Sequence, residues 1–488
     1  MKRPNFLIFM TDHQRGDMVF PGIAKMPNLE RFYPKSVVFT EAYCPSPHCC
    51  PARATFFSGL YPSEHGVWNN VNVPNALSRG LFEGVKLFSQ DLAEAKYKLY
   101  FSGKWHVCAD AGPADYGFEM IDGKAGSGEK YKNTPDTSGW DYYDADKNLA
   151  NIKEHPRGEA EIIRPGYPPY FQYGTNENPF GDSHTVEFAV EKLKKLNKPN
   201  ETGGDEPFLM YVGTTGPHDP YIPPQKFLDM YDPDEIELPK NYYDAMEDKP
   251  AMYRRIRDRF AQLTEREHKE CLRRYLAFCS YEDHLFGRLL DALEDGGLSE
   301  NTVVMYLSDH GDYAGAHGLW AKGLPCFREA YNISCAVGGA GIKDPGRLCD
   351  AFVSLSDFAP TILELAGISC GRKFAGKSLA GLLDGGQDEE GFREYMFTQT
   401  NGNEQYGIQR AVFSKRYKYV FNGFDYDEFY DLKADPGETK NQIKNPAYRE
   451  KIQEMCRQIW LFAKENRDDT TNPYIMTALF PYGPGIIY

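Results

Sequence analysis

The residues best suited to chemistry begin with two adjacent cysteines, Cys49 and Cys50, in the stretch Cys44-Pro-Ser-Pro-His-Cys-Cys-Pro51-Ala-Arg53-Ala-Thr55. A proline-rich loop ends the strand-like run 37–42, and Pro51 is of the kind tolerated in a first helical turn. The residues after it suit a helix. Both cysteines therefore stand at a helix N-terminus, where free N–H groups and the dipole favour an anion and acidify a thiol. The plainer alternative is a pair of small side chains packed beneath a loop.

Other polar clusters follow apolar runs along the chain. Residues 6–10 form a continuous apolar run that ends at Thr11, Asp12 and His13. Run 98–101 leads to Ser102-Gly-Lys104-Trp-His106, run 208–212 to Pro217-His218-Asp-Pro220, and run 302–307 to Ser308-Asp309-His310-Gly-Asp312. Such runs read as strands buried on both faces of a parallel sheet, whose ligands bind beyond the carboxyl ends. Asp12 is placed to ligate a metal, or else to cap the next helix. Asn70 follows a glycine turn, and Lys322 lies in Gly318-Leu-Trp-Ala-Lys-Gly. Taken singly, each of these has an ordinary structural reading.

Taken together they resemble a family. Cys49-x-Pro51-x-Arg53 is similar to the C-x-P-x-R signature of the type I sulfatases, and Leu60-Tyr-Pro-Ser-Glu-His-Gly66 to the segment that follows it there. Arg3-Pro-Asn before Asp12, Gly103-Lys-Trp-His106, the Pro-His-x-Pro loop, Ser308-Asp-His-Gly311, Lys322 and Ser356-Asp357 with Pro360-Thr361 resemble its other motifs, in its order, over nearly the whole chain. The resemblance implies that Cys49 is oxidised to formylglycine by a maturation enzyme and hydrated. Cys50 fills the variable slot, because only Cys49 has Pro at +2 and Arg at +4. It implies one divalent cation on Asp12, His13, residue 49, Asp309 and His310; position 13 is Asp or Gln in the family. Hard carboxylate oxygens suit Ca²⁺, with Mg²⁺ and, given an imidazole, Mn²⁺ as alternatives.

By the same resemblance Lys104, Lys322 and Asn70 bind the sulfate and Arg53 stabilises its charge. His218 or Lys322 protonates the leaving alcohol, and His106 takes the proton that releases sulfate. The expected reaction is hydrolysis of a sulfate monoester, on a small molecule or an oligosaccharide. A carbohydrate is favoured because an aromatic insertion with Tyr142, Tyr143, Tyr167, Tyr170, Phe171 and Tyr173 would suit a sugar. The alternative within the superfamily is a phosphonate monoester or phosphodiester hydrolase. The intact Gly-Lys-Trp-His run argues for sulfate.

The elements that must position these residues fit an α/β fold: a large, mostly parallel sheet flanked by helices, of the alkaline phosphatase-like sulfatase kind, with a small C-terminal antiparallel sheet plus helix. A catalytic domain is expected over 1–370 with an insertion at about 109–182, a linker over 371–388, and a subdomain over 389–488 with a four-stranded sheet, a helix and an apolar tail. At 488 residues the chain exceeds one ordinary core. A net charge of −15 argues against non-specific binding to nucleic acid or to an anionic membrane. No run reaches the length of a membrane span, the N-terminal run is too short for a signal peptide, and eleven scattered cysteines suggest no disulfide framework. These point to a cytoplasmic setting. The apolar tail from residue 472 is expected to be buried on its own chain or on a neighbour, with a homo-oligomer favoured.

Overall fold

The computed structural model describes residues 3–124, 144–146, 156–164, 167–196, 206–479 and 483–487. The strands are β1 (Asn5–Thr11), β2 (Ser36–Phe39), β3 (Ala42–Tyr43), β4 (Lys98–Gly103), β5 (Glu119–Met120), β6 (Glu161–Arg164), β7 (Tyr167–Phe171), β8 (Phe208–Gly213), β9 (Thr302–Ser308), β10 (Cys335–Gly339), β11 (Arg347–Cys349), β12 (Val353–Ser354), β13 (Met396–Gly402), β14 (Tyr406–Phe413), β15 (Tyr417–Asn422) and β16 (Glu428–Asp431). Eight of them form one sheet in the order β11-β2-β10-β9-β1-β8-β4-β5. Only β10 runs against its neighbours, β2 and β9. The central strands β1, β8 and β9 are buried throughout, which is why they read as unbroken apolar runs.

Register fixes where the site must lie. Thr11 pairs with Ser308, Met10 with Gly213, and Gly213 with Gly103. The carboxyl ends of β1, β4, β8 and β9 are thus level, and the loops that leave them carry Asp12, Lys104, His218 and Asp309. The close approach of β4 and β8 needs glycine: at Gly103, with φ 95°, an added Cβ would lie 2.0 Å from the Gly213 carbonyl oxygen. The helices Asp182–Leu196 and Glu265–Asp295 cover one face of the sheet. The wholly buried helix Cys49–Ser58 and the helix Phe358–Leu365 lie on the other.

The insertion supplies more than loop. Its strand β5 pairs with β4 at the sheet edge, and β6 and β7 pair antiparallel. Tyr170 and Tyr173 bond to Asp219 and Glu159, and Phe171 is exposed; Tyr142 and Tyr143 lie outside the described residues. Within 371–388, Leu379 and the short helix Ala380–Leu383 bury Leu382 and Leu383 in the main core. Strands β13 to β16 form a four-stranded antiparallel sheet. The helix Arg449–Glu465 packs Ile452, Met455 and Ile459 on it. The described part of the tail folds onto its own chain: Met476 joins that cluster and Trp460 Nε1 donates to the Pro484 carbonyl, 3.2 Å. Among the described residues no helix is long and apolar enough to cross a membrane.

Candidate active site

The site is built around Arg53, in the first turns of the helix Cys49–Ser58 and fully buried. Its Nε donates to Asp309 Oδ2 (2.9 Å), and one terminal nitrogen donates to the Tyr211 hydroxyl (2.9 Å) and the Lys104 carbonyl (3.1 Å). The other lies 3.6 Å from Asp12 Oδ2 and has no hydrogen-bond partner among the described residues. One guanidinium thereby ties the helix to the ends of three strands. A buried cation held this way is costly to orphan, about 3–5 kcal/mol.

Cys49, the first residue of that helix, turns its Sγ towards His310 Nε2 (3.3 Å) and Asp12 Oδ1 (3.6 Å). Cys50 points into the core, where its sulfur accepts the Val71 N–H (3.3 Å). The neighbours therefore differ sharply as acids. Burial and the Asp12 carboxylate oppose ionisation of Cys49, but Lys104, Lys322 and His310 outweigh them and hold its thiol well below the ordinary value. Burial pushes Cys50 well above it. The start of the helix is capped by Asn70, whose Oδ1 accepts the Cys50 N–H (3.1 Å).

Asp12, Cys49, Asp309 and His310 bring one ligand atom each within 4.8 Å of one another, and all four are buried. Asp12, His13, Cys49 and His218 form a second such group. His310 Nδ1 faces the Gly311 carbonyl (2.8 Å), so Nε2 is the nitrogen turned to the cluster, 3.3 Å from Asp12 Oδ1 and 3.7 Å from Asp309 Oδ1. This donor set fits a hard divalent cation: two carboxylates and imidazole nitrogen converge on one point. Burial works against a charged His310, yet Asp309 and Cys49 bring its pKa to about 10, so the cluster attracts positive charge at the place a cation would take.

His13 and His106 both hold left-handed backbone, φ 64° and 53°, which non-glycine residues seldom adopt away from functional sites. His13 Nδ1 bonds Asp312 Oδ2 (2.9 Å), which also accepts the Tyr221 hydroxyl (2.9 Å). This leaves His13 Nε2 towards Lys322 Nζ, with Asp12 Oδ1 3.8 Å away. The His218 ring lies 4.0 Å from that of His13. Its Nδ1 faces the Asp219 carbonyl (2.5 Å), and Asp219 Oδ2 takes the Tyr170 hydroxyl (2.6 Å). Burial, with His13 and Lys322, drives His218 down to about 3, so it is neutral at pH 7. Burial opposes the charge on Lys322, but Cys49, Asp12 and Asp219 raise its pKa overall.

Cys49, Asn70, Lys104, His106 and His218 line one cavity of about 610 Å³. Lys104 Nζ bonds Asp12 Oδ2. Burial works against ionisation of Asp12, and Lys104, His310, His218 and His13 outweigh it. His106 Nε2 bonds Asn72 Oδ1 (2.7 Å), and burial lowers the imidazole against the pull of the Cys49 sulfur. The residues expected from sequence thus lie at the cavity or in the cluster beneath it, apart from Arg53, which braces Asp309 and Asp12, and Lys322, which reaches the cluster from an adjoining recess. Sequence reasoning passed over Asn72, Asp312 and Tyr211, and read Tyr170 as a sugar-stacking ring where its hydroxyl bonds Asp219. Only Asp312 carried a signal, three residues beyond Asp309.

A family model described as Sulfatase matches residues 4–368, and one described as N-sulphoglucosamine sulphohydrolase, C-terminal, matches residues 315–465. The chain is 28% identical to a choline-sulfatase of Rhizobium meliloti over 468 residues, covering 91% of this chain and 83% of that one. It is 26% identical to a Delta 4,5-hexuronate-2-O-sulfatase of Bacteroides thetaiotaomicron, covering 96% and 90%. Its fold is similar to that of a phosphonate monoester hydrolase of Agrobacterium radiobacter, with a TM-score of 0.74, 19% identity, and 95% and 96% of the two chains covered.

Proposed function

This chain belongs to the sulfatase family and is a sulfuric ester hydrolase; from that premise we propose that it desulfates a sulfated carbohydrate, using residue 49 as formylglycine beside one divalent cation. The observation that carries this reading is the contact of Cys49 Sγ with both Asp12 and His310 at a cavity that Lys104 and His106 also line. The sulfur stands where the hydrated aldehyde oxygens would be. Formylglycine supplies a nucleophilic oxygen and a second hydroxyl through which the aldehyde can be regenerated, and a cation on Asp12, His13, Asp309 and His310 supplies charge that lowers the hydroxyl's pKa.

The chain's own residues do the rest. Lys104 and Lys322 hold the sulfuryl oxygens, and a preorganised donor of this kind is worth about 3 kcal/mol of barrier. Arg53 fixes Asp309 and lies beside Asp12, so the acids cannot drift apart. Asn70 holds the helix start against the cavity. Lys322 is the charged member of the pair near the leaving oxygen, since His218 is neutral. His106, also lowered by burial, is free to accept a proton.

The relatives' names offer a sugar and choline as substrates. The cavity supports the sugar: Asn70, Asn72, Thr185, Thr215 and Lys124 offer hydrogen bonds to hydroxyls, against two aromatic residues, Trp105 and Phe180. A quaternary ammonium seeks aromatic faces and would meet Lys124. The test is kcat/KM of matured enzyme on sulfate and phosphonate monoesters with matched leaving groups, and on sulfated saccharides, choline sulfate and an aryl sulfate. A preference for phosphorus, or for choline sulfate over every saccharide, overturns the reading.

A further inference from the structure

Lys322 opens onto a second recess, of about 120 Å³, between the end of the helix Ala251–Asp258 and the turn that joins β13 to β14. Arg255, Arg259, Asn403, Glu404 and Gln405 are its other polar lining residues. The recess shares walls with the reaction cavity: Lys322 reaches through to His13 Nε2, and the Asn70 N–H donates to Asn403 Oδ1 (3.0 Å). Among the described residues neither the Arg255 nor the Arg259 guanidinium has a carboxylate or hydrogen-bond partner; Arg259 lies over the Phe260 ring. The one acid, Glu404, takes the Asn403 amide (3.2 Å). Gln405 Oε1 is buried without a hydrogen-bond partner among the described residues. In a chain of net charge −15, three cations facing one carboxylate invert the local sign.

We infer that this recess binds a second anionic group of the substrate, a carboxylate or a further sulfate on the sugar next to the one bearing the scissile ester. The inference rests on the carbohydrate reading above. A planar guanidinium matches either anion with two parallel hydrogen bonds, and two unpaired ones give nothing up to do so. Gln405 Oε1 is the acceptor for a hydroxyl of the same sugar. The proposed substrate is therefore an acidic oligosaccharide rather than a neutral sugar carrying a single sulfate.

The test uses matured enzyme and sulfated disaccharides alike in the scissile ester, whose second sugar is neutral, a uronate, or itself sulfated. Wild type should favour the acidic disaccharides through KM, by about tenfold per arginine engaged, and added salt should compress the preference. R255Q/R259Q should lose it while keeping wild-type turnover of the neutral disaccharide, which also reports that the variant is folded. The better of the uronate and the second sulfate identifies the anion. Equal kcat/KM on neutral and acidic disaccharides in wild type, or a preference unchanged in the double variant, overturns the recess and leaves the carbohydrate reading standing. Inert saccharides beside a hydrolysed aryl sulfate overturn both.

Discussion

Substituting Asn72 tests how the site makes a base of His106. Asn72 Oδ1 accepts the His106 Nε2–H at 2.7 Å, and Nδ1 is buried without a hydrogen-bond partner among the described residues. The bond keeps the proton on Nε2 and Nδ1 unprotonated. Asn72→Leu removes the acceptor and strands a buried N–H, a loss of about 2–3 kcal/mol. If proton transfer to His106 limits turnover, kcat should fall about 30- to 160-fold. Asn72→Asp puts a carboxylate in the same position, which favours the imidazolium and should raise its pKa by about one unit or more. His106 acts as a base only when neutral, so the rate is lost as pH falls through its pKa. Burial sets that limb below the ordinary imidazole value in wild type. In Asn72→Asp the limb should move up, cutting activity on the acid side and sparing it above the ordinary imidazole range. The assay is kcat against pH for the three proteins on one sulfate ester. A wild-type kcat in Asn72→Leu, or an unmoved acidic limb in Asn72→Asp, refutes the role.

Asp309→Ala should lose bound metal and activity together while staying folded, though less stable by about 3–5 kcal/mol because the buried Arg53 loses its bonded carboxylate; metal analysis and thermal unfolding check this, and full metal occupancy would show the site misassigned. Glu282 is buried without a hydrogen-bond partner among the described residues, and burial with the nearby Asp182 raises its carboxyl well above the ordinary value. A raised carboxyl costs stability as pH climbs above its unfolded pKa, by up to about 1.4 kcal/mol per pH unit, so the advantage of Glu282→Gln should grow from pH 5 to pH 8 in denaturant unfolding; a pH-independent difference would contradict the burial. Protein made without a maturation enzyme should alkylate at Cys49 near neutral pH and spare Cys50, read by mass spectrometry of the 44–53 peptide, because only Cys49 is held low.

What the sequence made legible depended on the range of the interaction. The runs 6–10, 208–212 and 302–307 became β1, β8 and β9 because strands buried on both faces must be apolar throughout. The antiparallel sense of β10 comes from pairing with β2 and β9 and has no local mark. Two-residue β5 lay hidden in the stretch read as an insertion. Asp12, Lys104, His218 and Asp309 were legible because each follows a strand end. Their supports were not: His13 meets Asp312 across 299 positions, Arg53 meets Tyr211 across 158, and Tyr170 meets Asp219 across 49. Charge was the least legible property. Asp12 and Asp309 are the same residue type, both fully buried in one cluster, and they shift in opposite directions. Burial raises both. Lys104, bonded directly to Asp12, then carries it below the ordinary value, whereas Asp309 also feels Asp12 itself, and His310 and Arg53 do not offset the sum. The acid that keeps its charge and the acid that resists it are chosen by where β4 ends relative to β1 and β9. A cation shared between them would relieve their mutual repulsion.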